Sequence, residues 1–338
     1  MMKVFDTAFV LFFCFCLKGH SQNIVNELLA AGVTDTQRFA ESYIAPATEG
    51  LLYGVNNGWF NNAKPLGRFK FEISIVGNIS FVKAEDKNFD MLASDFENIR
   101  FSDNSPSKII PTIFGASSNE SVILTYEDVI FGGQEIEVEL PGGIGTSESS
   151  FIPASFLQLA FSPLKGTEIK ARLIPKLNYY DAKLNAYGFG IQQDLISLLP
   201  LKKVFPLAVS VVIAYTHLDG SYDFPDSEFV KGDNQQMITG LDTMVYQLVM
   251  GTKLKIINFY ASIGVLEGKT TTEFSGDYTI VSQGISSNLI SNPINISNKY
   301  SGMRSTFGAC FKFGLLGVNA DYTIAKYNSA NLGINIGL

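Results

Sequence analysis

Cysteine, histidine and charged residues are scarce in this sequence of 338 residues. Three cysteines and two histidines occur, and Cys14, Cys16 and His20 all fall within the first 21 positions. The remainder has one cysteine, Cys310, which cannot form an internal disulfide, and no Cys/His cluster with the spacing of a zinc site. We therefore predict a chain without a metal or another cofactor.

The charge content also excludes some classes of protein. Only 17% of the residues are charged, whereas soluble domains have about 25%. The 25 basic residues are outnumbered by 32 acidic ones, which disfavours nucleic acid as a partner because a nucleic-acid-binding face is basic. A hydrophobic share of 46% excludes disorder for most of the chain. The 30 glycines, 27 phenylalanines and 14 tyrosines favour β structure with aromatic bands.

Residues 1–21 have the three parts of a secretory signal peptide. Lys3 supplies the positive charge, Ala8–Leu17 is the apolar region, and Gly19-His20-Ser21 places small residues before a cleavage site after Ser21. The apolar region is shorter than the roughly 20 residues that a membrane-spanning helix needs. We predict export and removal of residues 1–21; the alternatives are a buried N-terminal strand and a membrane anchor.

Long hydrophobic runs are missing from the rest of the chain. The longest candidate, residues 195–215, is interrupted by Pro200, Lys202, Lys203 and Pro206. No segment therefore reaches the roughly 18 uninterrupted apolar residues that indicate a transmembrane helix. An exported chain of this kind is periplasmic, extracellular or an outer-membrane barrel, and the periodicity of its apolar residues separates these classes.

Apolar and polar residues alternate with period two over unusually long segments. Residues 68–82 are apolar at most odd positions and polar at most even ones. Similar alternation occurs at 167–180, 304–313, 316–324 and 332–338. Globular strands usually have about 5–6 residues, whereas a membrane β-strand needs about 9–11 with one apolar and one polar face. The pattern favours a membrane barrel over a soluble β-sandwich.

The predicted fold is all-β: an antiparallel up-and-down transmembrane β-barrel of about 10–14 strands over residues 67–338. Its connections alternate between short and long, and the long outer links are 83–151, 218–234 and 271–299. The ten predicted strands are 68–82, 153–161, 167–180, 183–193, 205–217, 236–253, 257–270, 300–312, 316–326 and 328–338. An even number places both chain ends on the periplasmic side.

The segment 83–151 is too long for a plain loop. Val122–Tyr126 and Glu135–Leu140 alternate apolar and polar residues and predict a small hairpin. We expect this hairpin to fold over the barrel mouth or to add a strand pair, which would make twelve strands. A structural lid is favoured over a binding loop.

Residues 22–66 predict a helical plug in front of the barrel. Ile24–Tyr43 has helical spacing, and Thr34 with Gln37 fits a capping box for a second helix. A Gly/Asn-rich stretch at 53–60 follows. We expect a plug or a turn at the barrel base, either as a space-filling periplasmic cap or as a hatch that contacts a ligand. The candidate ligand-binding residues are Tyr43, Tyr53, Asn57, Trp59 and Phe60.

Several segments resemble a known family, domain of unknown function 6588. They are Leu29-Ala30-Ala31-Gly32-Val33, Gln37-Arg38-Phe39-Ala40, Tyr43-Ile44-Ala45-Pro46, Glu49-Gly50, Asn57-Gly58-Trp59, Ala63-Lys64-Pro65, Phe151-Ile152-Pro153, residues 165–172, residues 215–220 and residues 319–323. The resemblance implies an exported protein of the Bacteroidota with no assigned activity. More loosely, a helical hatch before a barrel is similar to long-chain fatty-acid channels of the outer membrane, which suggests transport by analogy.

Charges of both signs fall on the predicted inward face of the barrel. They are Arg68, Lys70, Glu72, Glu168, Lys170, Arg172, Lys176 and Arg304. These side chains either pair across the lumen and hold it shut or line a polar path. A barrel of ten to twelve strands is narrow, which favours a filled or plugged lumen.

His217 is the one histidine beyond the predicted signal peptide and the one candidate base of its kind. Its strand phase places it outside the barrel with Tyr215. It could serve a lipid hydrolase if a serine hydroxyl lies within hydrogen-bond reach; the alternative is a place in the aromatic girdle at the membrane interface, which we favour.

Together these patterns predict an outer-membrane barrel that is not an enzyme. The predicted function is to bind a small hydrophobic molecule or pass it across the outer membrane, and the predicted partners are outer-membrane lipid and that ligand. The alternative is a structural or assembly barrel with a sealed lumen. A continuous lumen with an apolar pocket at the plug would support passage, and a lumen blocked by ion pairs would support the structural role.

Overall fold

The computed structural model describes residues 28–128, 132–144, 150–179, 181–198, 206–224, 230–282 and 285–337. The predicted signal peptide, residues 1–21, lies outside these ranges. The elements are a 3-10 turn (Leu28–Ala31), helix α1 (Val33–Gly54), short 3-10 turns at Ala84–Lys87, Ala93–Asp95 and Ile196–Leu198, and the strands β1 (Phe71–Phe81), β2 (Asn88–Leu92), β3 (Ile99–Phe101), β4 (Ser107–Pro111), β5 (Ser121–Asp128), β6 (Gly132–Glu139), β7 (Phe151–Leu164), β8 (Thr167–Tyr179), β9 (Ala182–Asp194), β10 (Ala208–Asp223), β11 (Val230–Lys231), β12 (Gln236–Gly251), β13 (Ile257–Ser275), β14 (Asp277–Ser282), β15 (Ile285–Ser291), β16 (Ile294–Phe313), β17 (Leu316–Ile324) and β18 (Ser329–Gly337).

Ten of these strands form a closed antiparallel barrel. Their order is β1-β18-β17-β16-β13-β12-β10-β9-β8-β7, and β7 pairs with β1 to close the ring. Each strand pairs with the next barrel strand along the chain, so the topology is up-and-down. The predicted barrel is confirmed, with ten strands.

The outside of the barrel carries an apolar belt. On β13, Phe259, Ile263 and Val265 are exposed, whereas the alternate residues Tyr260 and Leu266 are buried in the interior. With a rise of about 3.3 Å per residue and a tilt of about 45°, the first ten residues of β13 cover about 23 Å, close to the ~25 Å apolar band of membrane barrels. Other exposed apolar residues of the wall include Phe71, Ile73, Ile75, Leu157, Leu159, Ile169, Leu173, Phe189, Ile191, Ile213, Leu248, Phe307, Phe311, Val318, Leu332, Ile334 and Ile336.

The two ends of the barrel differ. One end, the short-turn end, has the tight connections β7–β8 and β16–β17 and holds the start of β1 and the end of β18. The other, the long-connection end, has the connections 82–150, 224–235 and 276–293. Here β13 and β16 reach 19 and 20 residues. The predicted strands were too short because the outward residues of this part are polar, although the backbone pairing continues.

Strands β2–β6 and residues 28–43 form a compact unit at the long-connection end, which we call the head. A two-stranded sheet (β2-β4) and a three-stranded sheet (β3-β5-β6) enclose its core. The predicted hairpin is confirmed as β5–β6. It pairs with β3 and not with the barrel, so the alternative in which it adds a strand pair to make twelve is wrong. Core residues of the head and of the extended wall are Leu28, Leu29, Phe39, Tyr43, Met91, Ile99, Phe101, Ile110, Val122, Leu124, Phe274, Tyr278, Ile294 and Ile296.

Helix α1 departs from the prediction in its bounds and its place. It begins after Gly32, whose φ of 100° suits glycine, so the capping box at Thr34 is wrong. Asp35 instead accepts hydrogen bonds from the backbone N–H groups of Glu97 and Asn98 in the head. The helix continues through Pro46 because packing at the barrel mouth outweighs the local break. No helix in the described ranges is long and apolar enough to cross a membrane.

Candidate functional site: the filled lumen

The chain after α1 passes down the inside of the barrel. We call residues 55–66 the plug segment. A Cβ added to Gly54 would lie 3.1 Å from Ser80 Oγ, near the long-connection end of β1. Further down, Asn61 donates to Glu72 near the start of β1. The segment thus enters at the long-connection end and leaves at the short-turn end, where β1 begins. A plug is present, and it runs along the lumen instead of lying only at the barrel base.

Trp59 is the centre of the plug segment and is fully buried. The guanidinium carbon of Arg172 lies 3.6 Å from the centroid of its ring. On β9, a Cβ at Gly190 would come within 2.9 Å of the ring, and one at Gly188 within 3.1 Å. The two glycines therefore leave the space that the indole occupies against the wall.

Arg172 of β8 binds the plug backbone as well as the indole. It donates to the carbonyl oxygens of Val55 (2.8 Å) and Asn57 (3.0 Å). A further hydrogen bond of 2.9 Å reaches Gln158 Oε1 on β7. Because an unpaired buried charge is costly, these acceptors and the indole face are what make a fully buried guanidinium tolerable.

Arg304 of β16 binds the same part of the plug segment from the opposite side of the barrel. It donates to the carbonyl oxygen of Asn56 at 3.2 Å and to the side-chain oxygen of Asn57. Asn57 in turn donates to Ser329 Oγ on β18 at 2.9 Å. Asn56 donates to Thr243 Oγ1 on β12 at 2.7 Å. Residues 55–57 are therefore bound to several sides of the barrel at once.

A third set of charges binds the lower half of the plug segment. Lys170 donates to the carbonyl oxygen of Trp59 at 2.6 Å and pairs with Glu168 at 3.0 Å. Glu168 also accepts the backbone N–H of Leu66 at 2.7 Å. Both charged side chains are buried. Lys170 also donates to Gln192 Oε1 on β9 at 2.8 Å, so this buried ion pair is hydrogen-bonded to both the plug segment and the wall.

The other side of the lumen is apolar. Phe60 packs edge-on against Tyr260, with ring centroids 5.6 Å apart. This cluster contains Trp59, Phe60, Ala63, Ala208, Val212, Ala214, Val245, Val249, Tyr260 and Cys310. The plug segment therefore meets charged groups on β8 and β16 and apolar groups on β10, β12 and β13.

One buried carboxylate of the lumen was not singled out from the sequence. Asp321 of β17 accepts hydrogen bonds from Tyr260 and Asn331, each at 2.9 Å. The one sequence signal was the polar alternation of β17, which assigns Asp321 to the inner face but does not identify its partners.

The structure brings some of the candidate ligand-binding residues together and separates others. Asn57, Trp59 and Phe60 lie in the plug segment. Tyr53 lies higher, at the barrel mouth, 5.7 Å from the ring of Tyr327. Tyr43 lies in the head, where its hydroxyl donates to the carbonyl oxygen of Gly142 at 2.9 Å. Tyr43, Tyr53 and the Trp59–Phe60 pair belong to three different packing clusters, and the role of the five residues in binding a ligand stays a prediction.

Five of the predicted lumen charges do line the lumen: Glu72, Glu168, Lys170, Arg172 and Arg304. Arg68 and Lys70 do not. They are exposed at the short-turn end because they lie in a turn that precedes β1. A 3.1 Å hydrogen bond from the N–H of Lys70 to the carbonyl oxygen of Gly67 closes this turn. Lys176 is also exposed, since a bulge after Ile174 changes the phase of β8.

The wall is lined by buried side chains at several heights. Inward side chains from the top to the bottom of the wall are buried: Thr270 is 3% exposed, Val245 0%, Gln158 5% and Gln192 1%. A water-filled channel would expose the residues that line it. The burial of these side chains is typical of a filled lumen.

His217 lies on the outside of β10, above the apolar belt. Its Nδ1 lies 2.8 Å from Asp242 Oδ1 and its Nε2 lies 3.0 Å from Asp219 Oδ2. Two carboxylate acceptors match an imidazolium, in which both nitrogens donate. Among the described residues no serine hydroxyl bonds to His217, so the condition for a lipid hydrolase is not met there.

Fold and site together define an antiparallel ten-stranded barrel that is plugged by its own N-terminal segment. The chain belongs to DUF6588, a family of unknown function, whose family model matches residues 1–338. No curated protein matches it.

Three solved structures are similar to the chain only weakly. The translocator domain of autotransporter NalP from Neisseria meningitidis has 9% identity and a TM-score of 0.32, covering 91% of this chain and 99% of that one. The attachment invasion locus protein Ail of Yersinia pestis has 8% identity and a TM-score of 0.26, covering 80% and 99%. A Pseudomonas aeruginosa FadL homologue has 9% identity and a TM-score of 0.21, covering 80% and 89%. Scores this low support no functional conclusion.

Proposed function

We propose that this protein is an outer-membrane barrel with a sealed lumen, whose function is to anchor the head at the membrane surface. The apolar belt and its height support a place in a membrane. Bacterial barrels keep short turns in the periplasm and long loops outside, which supports an orientation with the head at the cell surface. This is the structural role that the sequence left as the alternative to transport.

The observation that carries this proposal is the set of hydrogen bonds that Arg172 and Arg304 donate to residues 55–57. Together they donate to three backbone carbonyls and one side chain of the plug. Hydrogen bonds to charged groups contribute about 1.5–3 kcal/mol each. Displacing the plug segment would also leave two guanidinium groups without these acceptors inside the wall, so the sealed state is strongly favoured.

Passage of a small hydrophobic molecule is the second candidate, and one observation favours it. Several buried polar atoms at the plug have no hydrogen-bond partner among the described residues: Asn56 Oδ1, Trp59 Nε1, Thr216 Oγ1, Arg304 Nε and Asn331 Oδ1. Unmatched polar groups lower the cost of moving the plug segment. The apolar side of the lumen would then offer a surface to such a molecule. This function requires a displaced plug.

A disulfide that fixes the plug segment to the wall distinguishes the sealed anchor from passage of a hydrophobic molecule. The side chains of Asn57 and Ser329 are hydrogen-bonded, so N57C/S329C in a C14S/C16S/C310S background would link the plug segment to β18 by a disulfide. The full chain is reconstituted in liposomes, and uptake of a small aromatic hydrocarbon is compared before and after reduction. We expect no uptake in either state. Uptake by the unaltered chain that stops on locking would contradict the sealed anchor and support passage.

The double variant R172A/R304A gives the complementary measurement. Loss of both cations should loosen the plug and open ion conductance in planar bilayers, where the unaltered chain conducts no current. Conductance by the unaltered chain would contradict the proposal. Trp59 is the sole tryptophan, so its quenching by acrylamide reports directly whether the plug segment has left the lumen.

A further inference from the structure

A groove opens on the outer surface of the barrel, across β10, β12, β13 and β16. Its volume is about 480 Å³, and its lining includes Tyr215, Asp242, Met244, Lys269 and Lys299. It lies outside the wall, so it is separate from the plug segment. Its height is that of the upper edge of the apolar belt, since the outward residues of β13 change there from Val265 to Glu267.

Two lysines are held side by side in this groove. Lys269 on β13 lies directly opposite Lys299 on β16 in the strand register. Like charges in this arrangement are destabilising unless an anion accompanies them. Both side chains are exposed, and neither forms an ion pair with any residue in the described ranges.

Two acidic residues also line the groove, and neither forms an ion pair with the lysines among the described residues. Asp242 lies opposite Lys269 on β12 and interacts with its charge, but its hydrogen bonds come from Tyr215 and His217. Glu267 lines the groove two residues closer to the belt and forms no ion pair in the described part of the chain. The lysine pair therefore supplies the positive charge of the groove.

The barrel wall just below the groove is apolar. Met303 follows two residues after Ser301 on the outward face of β16 and is 80% exposed. Val265 on β13 lies opposite Met303 in the register and is also exposed. The lysines lie above these exposed apolar side chains, with Glu267 and Ser301 between them, and a cationic pair above an apolar surface matches a molecule with an anionic head and a hydrocarbon tail.

We propose that this groove binds the phosphate of a membrane lipid, with the lysine pair on the phosphate and the acyl chains along Met303 and Val265. The inference rests on the proposed place in a membrane but not on the sealed lumen. A lipid so bound would fix the depth of the barrel and the height of the head above the leaflet.

Native mass spectrometry of the full chain in a neutral detergent tests this proposal. The probe is dioctanoyl phosphatidic acid, and dioctanoylglycerol and inorganic phosphate are the comparison ligands. Each basic side chain near a membrane surface contributes roughly a fivefold factor in affinity, so K269Q/K299Q should weaken binding of phosphatidic acid by about 25-fold. The matched control is K165Q/K255Q, which changes two exposed lysines at the short-turn end and should bind as the unaltered chain does.

Each outcome decides between lipid phosphate and another explanation. Binding of phosphatidic acid that is lost in K269Q/K299Q and kept in K165Q/K255Q supports the proposal. Equal loss in both variants, equal binding of dioctanoylglycerol, or binding of inorganic phosphate as tight as that of the lipid would overturn it. This experiment measures lipid binding and neither conductance nor uptake. A negative result for the lipid site is therefore distinguishable from a negative result for the sealed lumen.

Discussion

The barrel wall and the plug segment lie in direct contact but depend on different forces. Each wall strand satisfies its backbone through its neighbours, whatever side chains it carries. The plug segment has no neighbouring strand, and carbonyl groups of Val55, Asn56, Asn57 and Trp59 are satisfied by side chains of the wall. The wall is therefore stabilised by a repeated pattern, whereas the plug segment depends on a few individual residues.

Removing Arg172 should have the largest effect on this difference. R172A leaves two plug carbonyls and Gln158 without a donor and opens a cavity beside Trp59. We expect a loss of about 3–5 kcal/mol in the free energy of unfolding, measured by urea unfolding in detergent with Trp59 fluorescence.

The matched control for this variant is K176A on the same strand. Lys176 is exposed, so its removal should change stability by less than about 0.5 kcal/mol. Similar losses for both variants would mean that the strand as a whole, and not its contact with the plug segment, sets the stability.

Filling the space beside the indole should have the next largest effect. G190A would place a Cβ 2.9 Å from Trp59 Cζ3 and 3.1 Å from Ala214 Cβ. Such overpacking costs about 1–3 kcal/mol, and it should shift the emission of Trp59 and increase its quenching by acrylamide. In G317A the new Cβ meets its nearest neighbour at 3.5 Å, so this variant should behave as the unaltered chain; an unshifted Trp59 in G190A would contradict the close contact.

Asp35 tests whether the head and the wall are stabilised separately. D35A leaves the N–H groups of Glu97 and Asn98 unpaired, which costs about 1–2 kcal/mol. We expect faster proteolysis within residues 84–144 and an unchanged melting temperature of the barrel. The exposed Glu41 on α1 supplies the control E41A. A matching fall in barrel melting would show that head and wall unfold as one unit.

The smallest effect is expected from pH in the head. Hydrogen bonds from Lys108 and Ser105 lower the pKa of Asp103 from 3.8 to about 2. A carboxyl group whose pKa is lower in the folded state stabilises the fold above pH 3.8, and this contribution is lost as pH falls towards 2. D103N should therefore remove a small part of the acid sensitivity of head proteolysis between these values. An identical acid profile in D103N would exclude Asp103 as a source of it.

Much of the wall could be predicted from the sequence because the signal is local. Alternation along β1, β8, β16, β17 and β18 follows from a face in contact with hydrocarbon and a face turned inward. The strand number, the up-and-down order and the β5–β6 hairpin follow from the same pattern. The outer halves of β13 and β16 were missed because their outward residues are polar, while the hydrogen-bonded pairing of the backbone continues.

The sequence by itself determined the class of the protein: an apolar, cysteine-poor chain whose period-two alternation suits a membrane barrel. Only the tertiary structure decided that α1 enters from the long-connection end, that Arg172 stacks on Trp59 and that Lys269 lies opposite Lys299. Those contacts join residues far apart in the chain, and alternation assigns a side chain to a face without naming its partner. A strand pattern is a property of neighbouring residues, whereas a plug is a property of the closed ring around it.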